Sequence, residues 1–202
     1  MVEQRRIVVG VTGASGAIYA VRFLKACLEY GIDIDLVVSD YGRRLLIEEC
    51  SLNLKTHDVA TWLDERYGPA ERSGSVKLHG QGDMGAAIAS GSGHADGMVV
   101  LPCSMKTLAG IAGGASTNLI ERAADVTLKE ARTLVLVPRE TPLNLIQLEN
   151  MTQAARAGAR IVPAMPAFYY GPRSFDDLAD FIAGRVLSLL GVPHGLYEPW
   201  KG

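Results

Sequence analysis

Thr133-Leu-Val-Leu-Val-Pro138, followed at once by Arg139-Glu-Thr-Pro-Leu143, is the stretch that decides the fold. The first six residues are mostly apolar and β-branched, the signature of a short buried strand. Thr141 then has an N-cap side chain, and Pro142 suits a first helical position, where its missing N–H costs nothing. Leu143, Ile146, Leu148 and Met151 carry the predicted helix to Gly158. Arg139 and Glu140 therefore stand where a strand ends and a helix begins. In an open parallel α/β sheet that edge is where ligands bind. A neighbouring cation and carboxylate there are suited to gripping an anion and moving a proton, and a solvated salt-bridging turn would use the same pair.

Working outward, the same strand–turn–helix unit recurs. Ile7 to Thr12 reads as a buried strand, Gly13-Ala-Ser-Gly-Ala17 as a glycine-rich turn, and Ile18 to Tyr30 as a helix ending at Gly31. Such a turn points free N–H groups at a ligand, and the helix dipole favours an anion there. The spacing from Gly10 is Gly-x-x-Gly-x-x-Gly, which is not the dinucleotide fingerprint, and a tight turn with no ligand fits it as well. Ile32 to Ser39 is a second strand with Ser39 at its carboxyl end, and the next helix runs to Cys50. Glu48 and Glu49 are about 100° apart on that helix, so one can face a pocket and the other solvent. Gly97 to Pro102 is a further strand, leading into Cys103-Ser-Met-Lys-Thr107 and a helix that stops at Gly113-Gly114. This gives a second anion-binding turn, at Ser104–Thr107. Cys103 has no base nearby in sequence and reads as a structural thiol.

Two helices carry cations on apolar faces. Between Asn118 and Ala131, Arg122 and Lys129 lie two turns apart on the face of Leu119 and Val126. A pocket or subunit interface holding an anion explains them, as does local pairing with Glu121, Asp125 or Glu130. Ser174 caps a last helix whose stripe runs Leu178, Ile182, Arg185, Leu189, where Arg185 needs a carboxylate or phosphate if it is buried. Between the two, Ala159 to Val162 is a final strand, and Pro163 to Pro172 forms a stiff loop presenting Tyr169 or Tyr170. Asp58 to Tyr67 reads as a short helix, Ser75 to His79 as a strand, and the Gly/Ala-rich run from Gly80 to Gly97 as a flap or close-packed interface. The tail from Val192 to Gly202, with Tyr197 and Trp200, is expected to dock near the site.

The β-α-β-α order gives a single-domain α/β protein, residues 1–202, with a Rossmann-like doubly wound parallel sheet. At 202 residues and 48% hydrophobic, one core is the default. The net charge of −2 gives no reason to expect nucleic acid or an anionic membrane. Three cysteines without a Cys-x-x-Cys and four scattered histidines point to a reducing compartment and no metal site. Glycines interrupt the apolar run after Arg5-Arg6, unlike a cleavable signal, and no apolar stretch is long enough to span a bilayer, so a cytoplasmic protein is expected. The cations exceed what one phosphate needs, which points to a nucleotide-like cofactor and a small phosphorylated substrate. A short-chain dehydrogenase is excluded because its Tyr-x-x-x-Lys occurs only as Tyr197-Glu-Pro-Trp-Lys201, broken by Pro199.

Six motifs together resemble the UbiX flavin prenyltransferases. They are Gly10-Val-Thr-Gly-Ala-Ser-Gly-Ala17, Cys103-Ser-Met-Lys-Thr-Leu108, the run Asn118 to Lys129, Leu136-Val-Pro-Arg-Glu-Thr-Pro-Leu143, Leu148-Glu-Asn-Met151 and Pro163-Ala-Met-Pro-Ala-Phe-Tyr169. The match runs from about Arg6 to Trp200; Gln147 departs from the histidine many members carry. The resemblance implies metal-independent joining of a dimethylallyl group, from dimethylallyl monophosphate, to N5 and C6 of reduced FMN. It assigns FMN to Gly13, Ala14, Ser15, Ser39, Ser104, Met105, Lys106, Thr107 and Arg139. The prenyl phosphate falls to Arg122, Lys129, Glu140, Tyr169 and Arg185, with Glu49 near the reacting centre and Trp200 on an aromatic lid. Catalytic roles are expected for Glu49, Glu140, Tyr169, Lys129 and Ser15, with Glu140 and Tyr169 as candidate acids. It further implies a homo-oligomer, commonly a dodecamer, with sites at subunit junctions, and a UbiD-type decarboxylase as recipient of the prenylated flavin; ubiquinone synthesis is one pathway this serves. An FMN-dependent cysteine decarboxylase and a non-catalytic FMN carrier are the alternatives.

Overall fold

The computed structural model describes residues 4–200. Six strands form one all-parallel sheet: β1 (Arg6–Val11), β2 (Asp33–Val38), β3 (Val76–His79), β4 (Gly97–Cys103), β5 (Thr133–Pro138) and β6 (Arg160–Ile161). Their order across the sheet is β3-β2-β1-β4-β5-β6. The direction of winding reverses between β1 and β4, which is where a doubly wound sheet opens a crevice.

Pleating sorts the strand residues between two cores, because successive side chains point to opposite faces. Val9, Val11, Leu36, Val38, Val99, Leu101, Val135 and Val137 enter one core. There they meet α1 (Ala17–Glu29), α2 (Asp40–Cys50), α3 (Val59–Tyr67) and α7 (Phe175–Leu189). Val8, Val37, Met98, Val100, Leu134 and Leu136 enter the other, under α4 (Met105–Ala112), α5 (Leu119–Lys129) and α6 (Leu145–Arg156). A strand buried on both faces must be apolar throughout, which is why β4 and β5 read as unbroken runs.

Local capping corrects one expectation. The helix after Arg139 does not begin with Thr141 and Pro142. It begins at Leu145, where the Asn144 side chain accepts the Gln147 N–H at 2.9 Å and the Gln147 side chain accepts the Asn144 N–H at 3.0 Å. That reciprocal box satisfies two end groups at once, whereas the Thr141 N–H is taken by Glu140 Oε1 at 3.0 Å. Leu145, Ile146 and Leu148 are consequently exposed, and Ala154 is the residue of α6 that is fully buried. Ser174 caps α7 as expected, in a box with Asp177. The Gly/Ala-rich run before β4 is pinned rather than loose: Arg132 donates to the Gly93 and Gly91 carbonyls at 2.9 and 3.0 Å, while Ile88 and Ala89 are buried.

Arg185 also departs from its expected setting. The buried face of α7 is Ala179, Phe181, Ile182, Ala183, Val186 and Leu187, one residue (about 100°) away from the stripe that contained Arg185. Arg185 lies on the narrow exposed strip beside Ser188 and needs no buried partner. Among the described residues, no helix is long and apolar enough to cross a membrane.

Candidate active site

Three turns meet at the carboxyl edge around the β1–β4 switch. Thr12, just beyond β1, is buried; its hydroxyl donates to the Pro102 carbonyl at 2.8 Å and accepts the Ser104 N–H at 2.7 Å. Arg139 Nε, after β5, donates to the Ser15 carbonyl at 2.9 Å. The Arg139 N–H reaches the Cys103 carbonyl at 3.4 Å, and the Ser39 N–H the Val11 carbonyl at 2.9 Å. The expected convergence of these turns is therefore present.

What fills the first of them was not expected. The Gly16 and Ala17 N–H groups, the free donors of the α1 N-terminus, both donate to Glu49 Oε2 at 2.8 Å. A side-chain carboxylate thus occupies the anion position that the glycine-rich turn offers. Gly16 has φ +113°, a backbone open to glycine, and it turns the chain so that both donors face Glu49. Of the adjacent pair, Glu49 turns to the α1 N-terminus and Glu48 pairs with Arg44 at 2.7 Å. Burial pushes the Glu49 pKa up. The Ala17 and Gly16 N–H groups, the Ser15 hydroxyl and the Arg139 charge together outweigh it and hold the carboxyl below its ordinary value. Glu49 is therefore charged at neutral pH.

The second turn is left open to an anion. Ser104 caps α4, its hydroxyl accepting the Thr107 N–H at 3.3 Å and donating to Thr107 Oγ1 at 3.1 Å. The Ser104 N–H is held by Thr12, so the Met105 and Lys106 N–H groups are left at the α4 N-terminus. Ser39 caps α2, accepting the Gly42 N–H at 3.1 Å, and stands beside a polar depression of about 450 Å³ lined by Val38, Asp40, Arg43, Gln81, Gly82 and Asn118. Gly13 is exposed, whereas Ala14 is buried with its N–H on the Thr12 carbonyl at 2.9 Å, so only backbone can serve a ligand there. Cys103 is fully buried and its thiol is pushed up to about 12, consistent with a structural role.

Lys129 does not join the Glu49 cluster within one chain. Lys129 ends α5 just before Thr133 starts β5, which puts it at the amino edge of the sheet. A strand of six residues separates that edge from the Glu49 cluster, a span of about 20 Å. Lys129 pairs with Glu130 at 3.7 Å, and Arg122 with Asp125 at 2.8 Å and the Ala89 carbonyl at 3.0 Å, so within the chain local pairing is what they do. No hydrogen bond or ion pair among the described residues joins Arg122, Lys129, Glu140, Tyr169 and Arg185 to one another.

The tail returns along α7 as a strap; Lys201 and Gly202 lie outside the described residues. The Gly195 N–H donates to the Tyr30 hydroxyl at 2.9 Å and His194 bonds Ser188 at 2.9 Å. The Tyr197 and Phe181 rings lie 4.7 Å apart, and Trp200 meets Tyr169 edge-on at 5.3 Å. Gly184 makes room for this path, since a Cβ there would fall 2.6 Å from both His194 and Tyr197. Gly184→Ala is expected to leave the sheet folded but free the strap, raising the rate of chymotryptic cleavage at Tyr197 roughly tenfold. An unchanged cleavage rate would show that the strap is held elsewhere.

The Flavoprotein family matches residues 1–187. A flavin prenyltransferase UbiX from Halalkalibacterium halodurans is 48% identical over 192 residues, covering 95% of this chain and 91% of that protein. The chain belongs to the UbiX flavin prenyltransferases. Among solved structures of this family, AnUbiX (PadA1) in complex with FMN and dimethylallyl pyrophosphate is 42% identical with a TM-score of 0.87, covering 99% of both chains. A dodecameric FMN-dependent UbiX-like decarboxylase from Escherichia coli O157:H7 is 42% identical with a TM-score of 0.85, covering 98% of this chain and 100% of that one. Sequence inspection alone passed over Thr12, Gln81 and Asn118; the signal available for Thr12 was a hydroxyl residue ending an otherwise apolar strand.

Proposed function

We propose that this chain is a flavin prenyltransferase: it transfers the dimethylallyl group of dimethylallyl monophosphate to reduced FMN, for use by a UbiD-type decarboxylase. The observation that carries the placement is the carboxyl-edge cluster of Ser15, Glu49 and Arg139 beside the open α4 N-terminus. Reduced FMN would supply the nucleophilic N5 and C6: bonding N5 to the allylic carbon breaks the donor's C–O bond and releases inorganic phosphate and the N5 proton, and bonding C6 consumes the donor's C=C, a proton adding to the alkene as the C6 proton leaves.

The chain's own residues meet those demands. The open N–H groups of Met105 and Lys106, with the Ser104 and Thr107 hydroxyls, suit a terminal phosphate. Arg139, anchored on Ser15, can face the flavin ring or the donor phosphate. Glu49, kept ionised, is suited to accept a proton, with the Ser15 hydroxyl bonded to it as the relay. Arg122, Lys129 and Arg185 suit the departing phosphate, whose growing charge fixed cations stabilise. Glu140 and Tyr169 have the acidic groups to protonate it, and Trp200, resting on Tyr169, suits shielding of the allyl group. Because Lys129 and the Glu49 cluster sit at opposite edges, we assign the cations to a site completed by a second copy in a homo-oligomer. A cysteine decarboxylase and a passive FMN carrier are not favoured, since the relatives at 43–48% identity are named as flavin prenyltransferases.

The test is anaerobic incubation with reduced FMN and dimethylallyl monophosphate, then mass spectrometry of the extracted flavin. A flavin heavier by one dimethylallyl unit, with stoichiometric phosphate, is expected. Unmodified FMN after saturating incubation with either the mono- or the pyrophosphate would overturn the assignment.

A further inference from the structure

We propose that Thr12 is a positioning residue for the FMN phosphate, acting through the α4 turn rather than by touching the ligand. The proposal rests on the placement of that phosphate at Ser104–Thr107. Thr12 is 1% exposed, and its hydroxyl is used twice, toward Pro102 at 2.8 Å and from the Ser104 N–H at 2.7 Å. Its own N–H donates to the same Pro102 carbonyl at 3.2 Å. One side chain therefore ties the end of β1 to the end of β4 at the switch point.

The orientation of the α4 turn follows from that tie. With the Ser104 N–H held by Thr12 and the Thr107 N–H held by the Ser104 hydroxyl at 3.3 Å, two of the first four donors are spoken for. Those of Met105 and Lys106 remain, and the first pair fixes the plane in which they point. Removing the Thr12 hydroxyl leaves the Pro102 carbonyl with the Thr12 N–H but orphans the Ser104 N–H beneath the turn. A buried N–H without an acceptor is unfavourable enough for the peptide to rotate toward another partner, and rotation re-aims the neighbouring donors. Only donors fixed before the ligand arrives bind it without a reordering cost.

The prediction separates this role from simple support of the fold. Thr12→Val keeps the shape and removes the hydroxyl; Thr12→Ser keeps the hydroxyl and removes the methyl group. Affinities for FMN and for riboflavin, which lacks the phosphate, are measured by quenching of flavin fluorescence. Thr12→Val is expected to lose FMN affinity roughly tenfold or more while its riboflavin affinity stays within about twofold, and Thr12→Ser to retain both. Should the valine variant not fold, as judged by circular dichroism, Thr12→Ala is read in its place. Equal losses for the two flavins, or none, would overturn the role of Thr12. If instead the wild-type protein binds riboflavin as tightly as FMN, the placement of the phosphate at this turn falls, and the proposal with it.

Discussion

Co-expressed oligomers of Glu49→Gln and Lys129→Ala chains are expected to regain prenyl transfer that neither variant shows alone. Glu49 sits at the carboxyl edge, bonded to Gly16 and Ala17, and Lys129 sits at the amino edge, at the end of α5. The sheet between them is about 20 Å across, far beyond the reach of a lysine side chain from its own site. If one copy supplies the carboxylate and a neighbour the ammonium, random mixing at equal ratio leaves roughly a quarter of the sites with both groups intact. Activity near that fraction of wild type, carried by oligomers purified on two different tags, confirms the shared site. Mixed oligomers no more active than the parents would refute it and require both groups to act on separate steps.

Glu49→Gln on its own is expected to slow adduct formation by about 10²–10⁴-fold while FMN still binds. The glutamine accepts the Gly16 and Ala17 N–H groups through its carbonyl but cannot take a proton. The same substitution carries a pH signature in stability. Because the folded-state pKa of Glu49 lies below its ordinary value, the carboxylate stabilises the fold above that value, and the benefit disappears as pH falls through the folded-state pKa. The melting temperature of the wild type should exceed that of Glu49→Gln by a constant margin at neutral pH, and the gap should close only as pH falls below the ordinary carboxylate value. Wild-type adduct rates in the variant would remove Glu49 from the proton-accepting role, and a gap that persists at acid pH would show that its charge is not what holds α1.

How much of this was legible in the chain divides by range. The strands β4 and β5 announce themselves because a parallel strand buried on both faces has almost no polar position to spare. The Ser174 cap was readable because its partner Asp177 is three residues away. Asn144 was equally local and was masked by Thr141-Pro142, a sequence with the right residue types one turn too early. The Glu49 contact spans 33 residues to Gly16, and no pattern along the chain encodes which of two adjacent glutamates turns to it. The position of Arg185 failed for a different reason. On a helix apolar nearly all round, a 3.6-residue period fits several stripes, and only the packed neighbours choose among them. The separation of Lys129 from the Glu49 cluster is likewise a property of sheet direction, invisible until the strands are ordered.

The carboxylate at the start of α1 also bears on which nucleotides this sheet can hold. In doubly wound folds the pyrophosphate of a dinucleotide lies on the helix that follows the first strand. Here that position already holds the negative charge of Glu49, at 2.8 Å from both donors. A pyrophosphate laid there would meet like charge instead of free N–H groups, while a single terminal phosphate on the neighbouring α4 turn would not. A glycine-rich first turn thus leaves no open anion site here, because the chain's own carboxylate already fills it.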